Sequence, residues 1–228
     1  APYDCFGLCV NDANANGICD EFEGPGCTDS TACNYNPNAT EDDGSCVEEA
    51  YGLDVDVVMV HTEGVLAGQT TYRLYVTTPH TDDFLSAVYG DVTYPLNISS
   101  SSSFYQHPAG AFLGSSINPF FYSSFPDLVY DSWVTIGLEE EPATGEEAPA
   151  LSPSFPFDEF EDNGGNLVIN DALGGAWYVT SPESTVNAFS DLNQRILVAQ
   201  LTTSGTPSGS IWVQMFNNGD SSDETKLE

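Results

Sequence analysis

The chain has 228 residues, of which 35 are Asp or Glu and only 3 are Lys or Arg, so its formal net charge at pH 7 is −32. A surface this acidic repels phosphate groups and anionic lipids, which argues against nucleic-acid binding and against docking on anionic membranes. No stretch approaches the roughly 20 apolar residues of a membrane-spanning helix, so no membrane insertion is expected.

The first 49 residues contain all six cysteines, which lie between Cys5 and Cys46. An even number of cysteines in a short segment with few large aliphatic residues predicts a disulfide framework and therefore an extracellular, cell-surface location. A zinc site is a weaker alternative because the segment has no histidine and no Cys-x-x-Cys pair. The polar start at Ala1 is what a mature secreted product would show.

A calcium-like loop follows the spacing D-x-[DN]-x-[DN]-G-x-x-D-x-x-E. Calcium prefers oxygen ligands, and alternate residues of such a loop place their side chains on one side, while Gly17 permits the sharp turn. Asn in place of Asp at two positions indicates modest affinity. The alternative is an Asn- and Gly-rich turn without metal. The predicted ligands are Asp12, Asn14, Asn16, Ile18 through its carbonyl, Asp20 and Glu23.

A second oxygen-rich stretch covers residues 34–44. It has no clear calcium register, and turn chemistry explains its composition equally well. Its candidate ligands are Asn36, Asn38, Thr40, Asp42 and Asp43.

Residues 26–46, GCTDSTACNYNPNATEDDGSC, resemble the GCTDxxACNYxPxATxDDGSC repeat of large secreted and surface proteins of marine Bacteroidetes and related aquatic bacteria. The preceding DCFGLCVND and GICDE stretches resemble the unit that commonly precedes this repeat. The calcium-like loop is similar to those of thrombospondin type 3 and dockerin modules. The resemblance implies an extracellular, modular protein and a pairing of Cys27 with Cys46. The pairs that then remain are Cys19 with Cys33 and Cys5 with Cys9.

Residues 50–228 form the second predicted domain and more loosely resemble the β modules found beside such repeats. Short runs rich in Val, Thr, Tyr, Phe and Trp alternate with Gly, Pro, Asn and Asp, and no window shows a helical stripe. This pattern predicts an all-β fold, an antiparallel β-sandwich or jelly roll. A long surface loop is expected over 139–156, with a cation-holding loop as the alternative. The predicted strands are 54–59, 70–77, 84–89, 96–99, 103–106, 128–138, 166–169, 176–180, 196–202 and 210–216.

Two sequons occur, at Asn38 and Asn97. Each fits the N-x-[ST] pattern for N-glycosylation, which also arises by chance. Glycosylation of Asn38 would compete with a metal role for the same side chain.

No catalytic motif is evident. The histidines His61, His80 and His107 lie outside the frames of known hydrolase and metalloprotease motifs. Adjacent carboxylates, at 82–83 and within 158–162, arise by chance in a chain this acidic and are expected to form solvated faces. We therefore expect a protein that is not an enzyme.

The expected function is a non-catalytic structural module of a calcium-stabilised surface assembly, filament or adhesin. Its partners would be further copies of itself or neighbouring surface proteins. The alternative is a carbohydrate-binding module of a secreted polymer-degrading system, in which exposed aromatic residues stack on glycans. Most aromatic residues on strands are nevertheless expected in the core. The candidate stacking residues are Tyr105, Tyr122, Trp133, Trp177, Tyr178 and Trp212.

Overall fold

The computed structural model describes residues 24–30, 32, 35–46 and 51–228. The chain divides into two compact units, Ala1–Ala50 and Tyr51–Glu228. Within the described ranges, no helix has the length and apolar character needed to cross a bilayer.

The described part of the first unit is held by backbone pairing and a disulfide. Strand β1 (Pro25–Gly26) pairs in parallel with β2 (Glu41–Asp42). Beside them, the backbone N–H of Gly24 donates to Thr40 Oγ1 at 3.0 Å, and Thr40 N–H donates to the Gly24 carbonyl at 3.0 Å. The Cys27 side chain is buried and bonded to Cys46. This part of the chain therefore depends on cross-links and backbone hydrogen bonds more than on apolar burial.

The second unit consists of antiparallel strands, which confirms the predicted all-β sandwich. The strands are β3 (Gly52–Val60), β4 (Thr70–Thr77), β5 (Phe84–Gly90), β6 (Leu96–Ser100), β7 (Trp133–Val134), β8 (Ala150–Leu151), β9 (Leu167–Ile169), β10 (Gly175–Tyr178), β11 (Arg195–Thr203), β12 (Pro207–Ser210), β13 (Trp212–Phe216) and β14 (Glu224–Leu227).

These strands form two layers. The first layer has the order β3-β4-β11-β7. The second layer begins as β14-β13-β5-β10-β8 and continues as β12-β6-β9. The continuation follows from the register, because β12 leads into β13 through Ile211 alone, and both pair with the β5–β6 segment. The second layer is thus one set of long strands interrupted by a turn or bulge.

The main core lies between the layers. Strand β11 is buried along almost its whole length because it is central and covered on both sides. Its outward-facing Leu197 packs into a smaller cluster with Ile117, Leu128 and Trp133, which residues 111–133 place over the first layer. The main core is mostly aliphatic but includes large aromatic side chains, of which Trp177, Phe84 and Phe160 are each 0% exposed.

Two predicted strands are wrong in extent. Residues 103–106 form only a single bridge, between Phe104 and Thr203. The predicted strand 128–138 starts as the 3-10 helix Pro126–Tyr130 and then yields only the two residues of β7. Tertiary contacts explain the difference. Gln200 Nε2 donates to the backbone carbonyls of Val129 and Asp131, both at 2.9 Å, so a side chain of β11 takes the place of the backbone hydrogen bonds that a strand would make there.

Other elements were not predicted. A short helix α1 (Asp158–Asn163) buries a single apolar side chain, Phe160, so it is too short for a periodic signal. The loop expected over 139–156 contains β8, and the polar C-terminal stretch contains β14, which pairs with β13.

Candidate functional site

The predicted calcium ligands divide into two groups. The first calcium-like loop lies outside the described residues, and its ligand set stays a prediction. That set is Asp12, Asn14, Asn16, Ile18, Asp20 and Glu23.

The second oxygen-rich stretch lies in the described range and forms local turns. Asn36 Oδ1 accepts from Asn38 N–H at 3.0 Å, Asp42 Oδ1 from Gly44 N–H at 3.0 Å, and Asp43 Oδ1 from Ser45 N–H at 2.9 Å. Hydrogen bonds from Ser45 lower the pKa of the Asp43 carboxyl. Within the described ranges, no three His, Cys, Asp or Glu side chains converge as a metal centre would require. The turn chemistry is visible here, and calcium binding by Asn36, Asn38, Thr40, Asp42 and Asp43 stays a prediction.

The Cys27–Cys46 disulfide is confirmed, with a sequence separation of 19 between the two cysteines. Cys5, Cys9, Cys19 and Cys33 lie outside the described residues. A cross-link of this loop length stabilises by about 3 kcal/mol through the entropy of the unfolded chain.

Replacing both Cys27 and Cys46 by serine should therefore open the segment 24–46. We expect cleavage by an endoproteinase specific for Glu, at Glu41, to become roughly a hundredfold faster, the rate equivalent of that free energy. Mass spectrometry of the products separates cleavage at Glu41 from cleavage at the exposed loop glutamates of the second unit, such as Glu63 and Glu140, whose rates should stay unchanged. An unchanged cleavage rate at Glu41 would contradict a stabilising role for the disulfide.

Both sequon asparagines are exposed. Asn38 lies in a turn of the first unit, and Asn97 lies on β6, where its side-chain oxygen accepts from the Ser99 hydroxyl. Exposure makes both accessible, and glycan attachment stays a prediction.

Asp83 and the histidines, which lie in no catalytic motif, have structural partners. Asp83 is 0% exposed, contrary to the expected solvated face, because its carboxylate accepts from the backbone N–H groups of His80 and Asn218 at 3.1 and 3.0 Å. His61 Nε2 lies 2.9 Å from the Thr71 hydroxyl. His107 Nδ1 accepts from Ala109 N–H at 3.0 Å. These contacts fix loops and strand ends.

The most unusual surface of the second unit is the free edge of β3. It is a nine-residue strand that ends the first layer, and within the described residues nothing pairs with its outer side. Val55 and Val57 share the core-facing side with Leu74 and Tyr72, their partners on β4. Leu74 is 8% exposed, whereas Val55 and Val57 are 48% and 60% exposed. The apolar inner face of the first layer therefore extends beyond the area that the second layer covers.

A groove runs along this edge, between β3–β4 of the first layer and β12 of the second. One part has a volume of about 380 Å³ and is lined by apolar side chains from both layers, among them Leu53, Val55, Ile98 and Ile211. An adjoining part of about 250 Å³ reaches Leu227 on β14. Strand β12 also ends its sheet. As far as residues 51–228 are concerned, the sandwich is therefore open on this side, with two strand edges that no other strand pairs with and apolar surface between them.

The negative charge beside this edge is partly balanced. The guanidinium of Arg195 lies over the Tyr75 ring, 4.0 Å from its centroid, and reaches Asp56 at 2.8 Å and Asp54 at 3.6 Å. The carboxylates of β3 thus share one of the chain's three cationic residues. An acidic protein would otherwise repel a second strand here.

The aromatic residues predicted to stack on glycans fall into different environments. Trp133 and Trp177 are 3% and 0% exposed and belong to the core, as expected for most of them. Tyr105 donates to Asp127 at 2.7 Å, and Tyr122 packs against the smaller cluster. The other two candidates, Tyr178 and Trp212, lie on the second layer. Tyr89 and Tyr94, which lie beside them, were missed because nothing in the sequence distinguishes outward aromatic residues from core ones.

Comparison with protein-family models, curated proteins and solved structures finds no match to this chain. The resemblance to the cysteine-containing repeat stays a prediction.

Proposed function

We propose that this protein is a non-catalytic extracellular assembly module, and that copies of it associate by strand pairing at the free edge of β3. The observation that carries the proposal is the exposure of Val55 and Val57 on a long edge strand whose outer side no strand of the described ranges pairs with. Soluble monomers normally shorten, charge or cover such edges, because they template pairing with another chain. β3 is nine residues long, and its two carboxylates, Asp54 and Asp56, are both paired with Arg195, so the exposed valines beside them support a partner strand.

A second copy fits this edge better than a small ligand. Exposed apolar side chains occur on both faces of β3: Val57 is on the groove face, whereas Met59, 42% exposed, pairs with Thr71 and lies on the other face. A small molecule in the groove would cover one face only. A strand added in the plane of the sheet would cover both, and an antiparallel β3–β3 pair is self-complementary under two-fold symmetry.

The acidity of the chain supports a role for divalent cations in this assembly. Each copy carries a net charge of −32, so two copies repel each other strongly on association unless counter-ions screen the charge. Calcium held by the predicted loop of residues 12–23 would supply such charge, and its donor set of carboxylate, amide and carbonyl oxygens fits that ion. The Cys27–Cys46 disulfide supports an oxidising, extracellular compartment, in a surface layer, filament or adhesin.

The test replaces Val55 and Val57 together by lysine. Both side chains are about half exposed, so the fold should survive, whereas covering each half-exposed valine contributes on the order of 1 kcal/mol to association. With charge added to the edge, the double variant should self-associate at least about a hundredfold more weakly than the unmodified protein. Sedimentation velocity across a concentration series measures this.

The matched control is Val168→Lys, since Val168 is also a strand valine, 41% exposed, but lies on β9. It should leave association unchanged. Dialysis against EDTA should weaken association of the unmodified protein if calcium screens the repulsion. A monomer at all concentrations in calcium, or equal association of the double variant and the unmodified protein, would contradict the proposal.

A further inference from the structure

The outer face of the second layer carries an aromatic hollow. On β13, β5 and β10, the side chains of Val213, Val88 and Trp177 point into the core. The alternate residues therefore point outward. One outward row is Trp212, Tyr89 and Ala176, and the next is Gln214, Ala87 and Tyr178.

Small side chains make this face concave. Ala87 and Ala176 lie between larger residues, and the hollow above them has a volume of about 450 Å³. The aromatic rings at its border are those of Tyr89, Tyr94 and Tyr178. A depression of this size with rings at its edge offers flat apolar surface within a polar surround.

The turn after β5 holds Tyr94 in place. Asp91 Oδ1 accepts from the backbone N–H groups of Thr93 and Tyr94 at 2.6 and 2.7 Å, and Asp91 N–H donates to the Tyr94 carbonyl at 2.9 Å. The Tyr94 ring packs against Tyr89 and Trp212, with centroid distances of 6.1 and 4.7 Å. Tyr94 remains 38% exposed. Its ring is thus held in place while facing solvent, so a ligand that stacks on it loses little binding free energy to ordering the side chain.

Polar groups for hydrogen bonding lie beside the rings. Gln214 and Lys226 line the hollow, and Glu224 joins them, accepting from Gln214 Nε2 at 2.7 Å and lying 3.8 Å from Lys226 Nζ. Among the described residues, neither the Tyr89 hydroxyl nor Trp212 Nε1 has a hydrogen-bond partner, although both atoms are buried. Buried polar groups normally have a partner, so this cluster has hydrogen-bonding capacity that the protein leaves unused. Burial raises the pKa of Tyr89, which keeps its phenol a neutral donor.

We propose that this hollow binds a neutral saccharide, with the Tyr94 ring stacking on a sugar face and Gln214 and Lys226 bonding to its hydroxyls. Sugars combine an apolar face with a ring of hydroxyls, which matches aromatic side chains bordered by donors and acceptors. The local charges of Asp91, Glu224 and Lys226 sum to −1, and the whole chain carries −32. This balance disfavours sulfated or uronic-acid glycans, so the ligand is neutral.

The proposal does not depend on assembly through β3, because the hollow lies on the outer face of the other layer. The two can fail separately. A module with both features would join copies through one layer and hold a polymer through the other.

Tryptophan fluorescence tests this directly. Of the three tryptophans, Trp133 and Trp177 are buried in the core, so a ligand-induced change reports on Trp212. We expect a saturable change on titration with at least one of cellohexaose, laminarihexaose, mannohexaose, xylohexaose and chitohexaose, and none with polygalacturonate or chondroitin sulfate. Tyr94→Ala should weaken binding at least about tenfold, as loss of one stacked ring implies.

Three further variants keep the result interpretable. Phe120→Ala removes an aromatic side chain that is 80% exposed elsewhere on the unit, and should leave glycan binding unchanged. Trp212→Phe should abolish the optical signal while retention in affinity electrophoresis on the same glycan persists. The double lysine variant of β3 should bind glycan normally. No binding to any neutral probe, a preference for the anionic probes, or equal losses for Tyr94→Ala and Phe120→Ala would overturn the proposal.

Discussion

Replacing Trp177 by alanine should destabilise the second unit by about 3–5 kcal/mol, the range for removing a fully buried large aromatic side chain. Trp177 is 0% exposed and lies on β10. Its indole contacts Phe155, with ring centroids 5.9 Å apart, and its Nε1 donates to the Thr135 carbonyl at 2.9 Å. Urea denaturation followed by far-UV circular dichroism would measure the loss without relying on the deleted fluorophore.

Two companion variants separate packing from surface effects. Trp177→Phe keeps most of the apolar volume but leaves the Thr135 carbonyl without its donor, which costs about 1–3 kcal/mol. Phe120→Ala, at a side chain that is 80% exposed, should change the free energy of unfolding by no more than about 0.5 kcal/mol. A loss for Trp177→Ala as small as that of the Phe120 variant would show that the described core is wrong.

Stability should fall as the pH rises from about 4 to 7, because of a buried carboxyl. Asp131 is 0% exposed, and its oxygens accept from the backbone N–H groups of His107 at 2.7 Å and Ala111 at 3.2 Å. Burial raises the pKa of Asp131 from the ordinary 3.8 to about 7, and the charge of Glu161 acts in the same direction, against the hydrogen bond from His107. The folded state thus binds this proton more tightly than the unfolded chain does. The stabilisation that this proton provides is complete below pH 3.8 and is lost as the pH rises through 7, which lowers the free energy of unfolding by about 4 kcal/mol.

Asp131→Asn removes the titrating group and should flatten this decline, although the variant will be less stable at pH 4 because an amide accepts poorly from two N–H groups. The control is Asp127→Asn. The hydrogen bond from Tyr105 lowers the pKa of Asp127, so its loss should leave the decline between pH 4 and 7 in place. Chemical denaturation at several pH values measures both slopes. An Asp131→Asn protein that declines as steeply as the unmodified one would contradict this assignment.

The sequence predicted the strands whose side-chain pattern is local. The alternating runs that became β3, β4 and β11 were predicted to within one or two residues of their observed ends. Prediction failed where tertiary contacts decide. The segment 128–138 has strand-like composition, yet side chains of β11 take up its carbonyls and it begins as a 3-10 helix. Strand β14 was missed because its polar residues form a strand only beside β13.

The candidate sites were less predictable than the fold. The sequence of β3 alternates Val55, Val57 and Met59 with Asp54, Asp56 and Val58. The register keeps Val55 and Val57 on one face, but an irregularity between Val57 and Met59 places Met59 on the other face, which alternation alone does not predict. Whether another strand lies over and beside those valines is decided by the order of strands, which no local pattern encodes. For the same reason the sequence selected Tyr178 and Trp212 together with the buried Trp133 and Trp177, and missed Tyr89 and Tyr94.

The oxygen-rich stretch 34–44 illustrates a different limit. Asn, Asp and Thr oxygens serve calcium ligation and turn hydrogen bonds equally well, so composition could not distinguish the two. The described turns at Asn36, Asp42 and Asp43 use one oxygen of each side chain for the backbone.

Assembly through β3 is tested most directly by amide hydrogen exchange at different protein concentrations. Pairing with a second copy would protect those amides of residues 53–60 that point away from β4, and protection would grow with concentration in calcium and vanish in the Val55→Lys, Val57→Lys double variant. Exchange at these amides that is fast and independent of concentration, while β4 and β11 stay protected, would contradict the account.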